Sequence, residues 1–187
     1  DEVRKRFIIP LWNVYSFFIT YANIDEYDPS TAPPKLENRA ELDRWIISEL
    51  NRLISEATES LENYNPAKAG HSIERFVESL SNWYVRRSRR RFWKSGFVGH
   101  QGEATDVDKL SAYSTLYECL ITLTKLIAPF MPFMAESMYQ NLVRSVNGRE
   151  ESIHLEAYPI SNPANIDLRL SEATRLAIRI SSLGRAA

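Results

Sequence analysis

Apolar residues recur at three- and four-residue intervals through most of this chain, and strict alternation is scarce. That spacing predicts helices rather than strands. "VRKRFIIPLWNVYSFFITYAN" (3–23) predicts a first helix, with Pro10 near its start or at a kink. "DEYDPSTAPPK" (25–35), with three prolines among turn formers, predicts a connection. A second helix is expected from about Glu41 to Leu61, where Trp45, Ile46, Leu50, Leu53, Ile54, Ala57 and Leu61 form one stripe. Asn65 before Pro66 reads as an N-cap with proline in the first turn. The third helix then runs through Ile73, Phe76, Val77, Leu80 and Tyr84 into "NWYVRRSRRRFWKS" (82–95). Residues 94–106, with three of the six glycines, predict a loop. Asp106 or Ser111 starts a fourth helix to about Ala128, "APFMP" breaks it, and a fifth reaches about Val146. "SIHLEAYP" (152–159) alternates weakly and predicts a short strand, and 166–183 is helical again. The expected fold is all-α. Residues 1–150 form an antiparallel bundle of about five helices, and 151–187 form a short extended element and the start of a helical linker.

Charge changes this picture locally. The formal net charge over 187 residues is −1, yet residues 65–100 hold 8 basic and 2 acidic residues. Residues 1–64 carry a net of −5 and residues 101–187 a net of −2. A positive patch on a neutral background points to a local anionic partner. On an unbroken helical wheel Arg87 and Arg91 continue the apolar face of residues 73–84, Arg86 and Arg90 flank it, and Arg89 lies opposite. A guanidinium is costly to bury without a partner, so the apolar stripe is expected to end near Tyr84. One or two cations suffice to complement a helix C-terminus, at roughly 0.3–1 kcal/mol each. Arg86, Arg87, Arg89, Arg90, Arg91 and Lys94 are six. The excess favours phosphate contact, for which the arginine fork is well shaped. Salt bridging to a neighbouring domain and a solvated helix end are the alternatives. Phe92 and Trp93 are placed either to stack on bases or to anchor the helix end.

The residues now become recognisable. "LWNVYSFFITYANID" (11–25) and "NWYVRRSRRRFW" (82–93) resemble the anticodon-binding region of the isoleucyl-tRNA synthetase family, class I aminoacyl-tRNA synthetases. "LTKLIAPFMPFMAESMYQNL" (123–142) resembles a block shared with the valyl and leucyl families. "SIHLEAYP" resembles the element that closes it, and "RISSLGRAA" (179–187) the start of the linker to a C-terminal module. The resemblance implies a tRNA-binding helical domain whose parent attaches isoleucine to its tRNA using ATP. The family's signatures His-Ile-Gly-His and Lys-Met-Ser-Lys-Ser are absent, so catalysis is not expected of these residues, nor any cofactor of their own. Candidate tRNA-binding residues are Arg86, Arg87, Arg89, Arg90, Arg91, Trp93 and Lys94. Expected partners are isoleucine-accepting tRNA and the catalytic domain of the same polypeptide, in a cytoplasmic monomer. A helical protein-interaction or interdomain docking module using the same basic face is the competing reading.

Other features have plain readings. Trp12 and Trp45 sit at apolar positions and are expected in the core, with Met131, Met134 and Met138 as gap fillers and Cys119 buried. One cysteine and three scattered histidines fit no disulfide framework and no zinc spacing. His71 is expected to be exposed or capping, and His100 lies in the loop near the basic patch. Arg4, Lys5 and Arg6 form a smaller cluster, read as solvated or facing a domain junction. Residues 116–134 are the most apolar run, but Glu118, Lys125, Pro129 and Pro132 interrupt it, which fits a buried helix pair better than a membrane span. The chain starts and ends inside helical patterns, which reads as a piece of a longer protein.

Overall fold

The structure, a computed structural model, describes residues 2–94, 106–143, 146 and 148–186. His100 and most of the predicted 94–106 loop lie outside them. The described residues form an all-α bundle with no strand. The helices are α1 (Ile9–Ile24), α2 (Glu41–Glu62), α3 (Pro66–Ser79), α4 (Arg86–Trp93), α5 (Val107–Ile127), α6 (Pro132–Val143) and α7 (Leu168–Ala186).

Local chemistry sets several boundaries. The Asn65 side chain accepts a hydrogen bond from the Lys68 amide, with Pro66 in the first turn, and Asp106 caps α5 through the Lys109 amide. A wide turn of the i→i+5 kind, Arg4–Ile8, leads into α1 just ahead of Pro10. There it accommodates a residue that has no amide proton to give. A second wide turn, Leu80–Val85, joins α3 to α4, so residues 66–93 form one rod. The segment expected as a strand is instead a single 3-10 turn, Ile153–Leu155, started by the Ser152 hydroxyl accepting from the His154 amide. It has no partner strand among the described residues, so its alternation has no ladder to serve.

α2 packs against the rod, α5 beside α4, and α6 against α5, each running opposite to its neighbour in sequence. α1 lies along the rod in the same direction: Phe17 is edge-on to Phe92 with ring centroids 5.1 Å apart, and the Trp93 Nε1–H donates to the Tyr21 hydroxyl at 2.7 Å. The core is one cluster centred on α5, whose Tyr113, Leu116, Cys119, Leu120, Leu123 and Leu126 are buried. Cys119 and Trp45 are buried as expected, whereas Trp12 is 50% exposed and lies against Tyr15. Met138 is in the core, Met134 packs against it, and Met131 lines a surface groove with Phe7 and Phe130. The run expected as a buried helix pair is α5 and α6, broken at 128–131. By length and composition alone Arg4–Ile24 is long and apolar enough to cross a membrane, and its Leu11, Val14, Tyr15 and Phe18 face the core.

Candidate nucleic-acid interface

The rod brings the candidate residues together, but not on the face that simple periodicity gives. Up to Leu80 the buried positions are Ala69, Ser72, Ile73, Phe76 and Val77. An unbroken α-helix would continue inward at Tyr84, Arg87 and Arg91. The wide turn at Leu80–Val85 adds the equivalent of one residue and rotates everything after it. The buried positions become Tyr84, Val85, Ser88 and Phe92. The apolar stripe therefore does not stop at Tyr84. It is rephased, and Arg87 is turned out of the interior. Its guanidinium lies over the Trp83 ring, 4.4 Å from the centroid, in a cation–π arrangement.

Arg91 ends at the edge of the core. Its Nη1 and Nη2 each donate to an Asp43 oxygen at 2.7 Å, Nη2 also donates to the Asp108 carbonyl at 2.8 Å, and Nε lies 2.9 Å from an Asp108 carboxylate oxygen. Asp43 is fully buried and accepts a third hydrogen bond, 2.7 Å from the Tyr84 hydroxyl. Burial acts against the Arg91 charge, but the hydrogen bonds and charge of Asp43 outweigh it and raise the guanidinium pKa. Burial, and then the Asp43 charge, push the Tyr84 phenol far above its usual range. The Arg91 guanidinium therefore keeps its charge at pH 7, and the Tyr84 phenol stays neutral.

The end of the rod is pinned as well. Lys94 Nζ is 3.3 Å from an Asp108 carboxylate oxygen and 3.8 Å from one on Asp106, and its carbonyl accepts from Lys109 Nζ at 2.7 Å. Lys109 is itself buried and paired with Asp25 at 2.8 Å. Trp93 is tied by its indole N–H to Tyr21 but keeps 57% of its surface exposed. The seven candidates thus fall into two sets. Arg91, Trp93 and Lys94 hold the rod to α1, α2 and α5. Arg86, Arg87, Arg89 and Arg90 are exposed. Among the described residues no carboxylate lies within ion-pair distance of these four, whereas Arg39, Arg52, Arg75 and Arg91 all have one.

Arg86 and Arg87 of the outer set border a cleft of about 590 Å³ that Glu78, Asn82, Trp83 and Ser182 of α7 also line. Periodicity missed Asn82 and Ser182, which carry no charge, and Asp43, which reads as an ordinary first-turn acid. A carboxylate early in a helix whose side later proves buried is the signal that was available. The smaller cluster Arg4, Lys5 and Arg6 is exposed, with Arg6 paired to Glu2 at 3.2 Å, and His71 is exposed beside Glu74. Among the described residues no three His, Cys, Asp or Glu side chains are grouped to hold a metal ion.

Residues 43–187 match the family described as the anticodon-binding domain of tRNA ligase. The chain belongs to that family. Over its whole length it is 54% identical to the isoleucine–tRNA ligase of Dehalococcoides mccartyi strain 195, 45% to that of Clostridium acetobutylicum and 45% to that of Thermus thermophilus. It spans 17–18% of the length of these relatives. The family match takes in Asp43, the rod, α5, α6 and the C-terminal segment.

Proposed function

We propose that the chain is the tRNA-binding helical domain of an isoleucine–tRNA ligase, and that Arg86, Arg89 and Arg90, with Arg87 beside them, contact the phosphate backbone of tRNA. One observation carries this reading: the exposed cations on the outer side of the rod have no carboxylate within reach among the described residues, whereas Arg39, Arg52, Arg75 and Arg91 each have one. Phosphate oxygens match the guanidinium fork, and repeated phosphates match a row of them. The similarity to isoleucine–tRNA ligases supports tRNA as the polyanion. In the parent enzyme, ATP-driven attachment of isoleucine would belong to a catalytic domain elsewhere in the polypeptide, working in the cytoplasm as a monomer. This domain would supply grip on the tRNA and no chemistry.

The test is salt-dependent binding of isoleucine-accepting tRNA. If about three phosphates are neutralised, log affinity falls against log salt with a slope of roughly −2 to −3. The double substitution Arg86→Ala and Arg90→Ala is expected to shrink that slope and weaken binding to every tRNA tested, because phosphate contacts carry little sequence information. Unchanged affinity and slope in a folded double mutant would move these arginines to an interdomain role.

A further inference from the structure

Asp43 is too costly where it sits to be only one more pair in the bundle. Its side chain is fully buried and takes its hydrogen bonds from residues that follow the start of the wide turn: Tyr84 at 2.7 Å and Arg91 at 2.7 Å on both nitrogens. Leu80–Val85 is also where the rod gains its extra residue of phase. The competing register is easy to write down. As a plain α-helix the rod would turn Arg87 inward where Ser88 now lies, would shift Tyr84 and Arg91 to the places of Val85 and Phe92 and so away from Asp43, and would carry Ser88 and Phe92 off the core. In the observed register Ser88 and Phe92 are buried, and Arg86, Arg87, Arg89 and Arg90 point out.

We propose that Asp43 is a positioning residue, which locks the one-residue phase shift of the rod and so keeps the four outer arginines on one exposed face. It does this from α2, by holding Tyr84 on one side of the wide turn's end and Arg91 two helical turns further on. Asp108 stands on the far side of Arg91 and completes the clamp. The consequence for RNA rests on the phosphate reading above. The register lock itself does not.

Thiol accessibility reads the register directly. Ser88→Cys and Arg87→Cys are made separately, each with Asp43 intact and each combined with Asp43→Asn or with Tyr84→Phe. The native Cys119 is fully buried and serves as an internal monitor of global opening. With Asp43 intact, the thiol at 87 is expected to label readily and the thiol at 88 to be protected. With Asp43→Asn, protection at 88 is expected to fall by at least about tenfold while Cys119 stays protected, since a local slip needs less free energy than unfolding. Tyr84→Phe removes one of the three hydrogen bonds with little change in shape, and is expected to act in the same direction by a smaller factor. Positions 88 and 119 losing protection together in both variants would overturn the proposal and leave Asp43 as general stability. Unchanged protection at 88 would also overturn it. The same proteins, bound to tRNA, separate the two ideas. A slipped register with weakened affinity and a smaller salt slope supports both. A slipped register with unchanged RNA binding supports the lock and overturns the phosphate reading.

Discussion

Arg90 and Arg91 are neighbours of identical chemistry in opposite surroundings. Arg90 is exposed, and water solvates its charge at no cost to the fold. The Arg91 side chain is 13% exposed, and its charge is tolerable only because Asp43 and Asp108 face it. Removing one member of such a pair strands the other, which typically costs about 3–5 kcal/mol. Asp43→Ala is therefore expected to lower stability by about that much, read as a fall in the urea midpoint at constant m-value. Arg90→Ala is expected to stay within about 0.5 kcal/mol of the parent, as exposed substitutions away from special features do. Equal effects of the two would contradict the division of the rod into anchors and outer cations. Leu80, fully buried where the wide turn begins, is a third case: Leu80→Ala leaves a cavity worth roughly 2–5 kcal/mol.

At the scale of elements, the link between α5, α6 and the segment after them is electrostatic. Glu156 accepts from Lys125 Nζ and from the Tyr139 hydroxyl, each at 2.7 Å, with Arg149 3.8 Å away. The Lys125 hydrogen bond, against the effect of burial, holds the Glu156 carboxyl below its ordinary 4.5, with Tyr139, Arg149 and the Lys125 charge adding to it. A lowered folded pKa contributes stability above about 4.5, and that stability is lost as pH falls through the folded value. Glu118 has the opposite sign: burial raises its pKa despite Arg39, so protonation on acidification relieves a cost. Glu156→Gln is thus expected to melt below the parent at pH 7, with the gap closing as pH falls below about 4.5. Melting curves of both proteins across that range check it, and a constant gap would show that the linkage lies elsewhere. What the sequence made legible at this scale was whatever is coded locally. The Asn65 and Asp106 caps, the α2 stripe and the break at Pro129 to Pro132 are all neighbour-to-neighbour effects. The phase of the rod was not legible, because the wide turn is stabilised by Asp43, 41 residues before Tyr84 and 48 before Arg91. A wheel drawn at constant pitch carries no trace of that partner. It therefore placed Arg87 and Arg91 together on the apolar face, which is true of Arg91 alone. The strand expected at 152–159 failed for a related reason: alternation alone does not supply a second strand to pair with.

At the scale of the whole molecule, residues 151–186 act as a strap across the bundle. Ile153 and Leu170 are buried in the common core, and Glu156 bonds to Lys125 and Tyr139. The Ser161 hydroxyl donates to the Asn51 carbonyl and the Asn162 amide to the Asn51 side chain, at 2.8 Å each. The Asp167 amide donates to the Ser48 hydroxyl at 2.8 Å, and Ser171 lies 3.1 Å from the same oxygen. The strap therefore covers the side of α2 that carries Ser48 and Asn51, residues whose polarity would otherwise interrupt a buried helix face. Shared core and shared hydrogen bonds predict that bundle and strap melt together, with far-ultraviolet and near-ultraviolet circular dichroism giving superimposable curves. Ending the chain at residue 150 re-exposes the surface covered by Ile153 and Leu170, at roughly 1.5–3 kcal/mol for each side chain. At about 2–4 °C per kcal/mol for a chain of this size, Tm should fall on the order of 10 °C. Helical circular dichroism should persist at low temperature, because α1 to α6 keep their mutual contacts. RNA affinity measured well below Tm should change little, because the anchors of the rod (Asp43, Asp108, Tyr21 and Lys109) all lie within residues 1–150. A truncated chain that melts with the full one would make the strap an independent unit. One that loses RNA binding while still folded would place part of the interface on α7, beside Ser182 in the cleft.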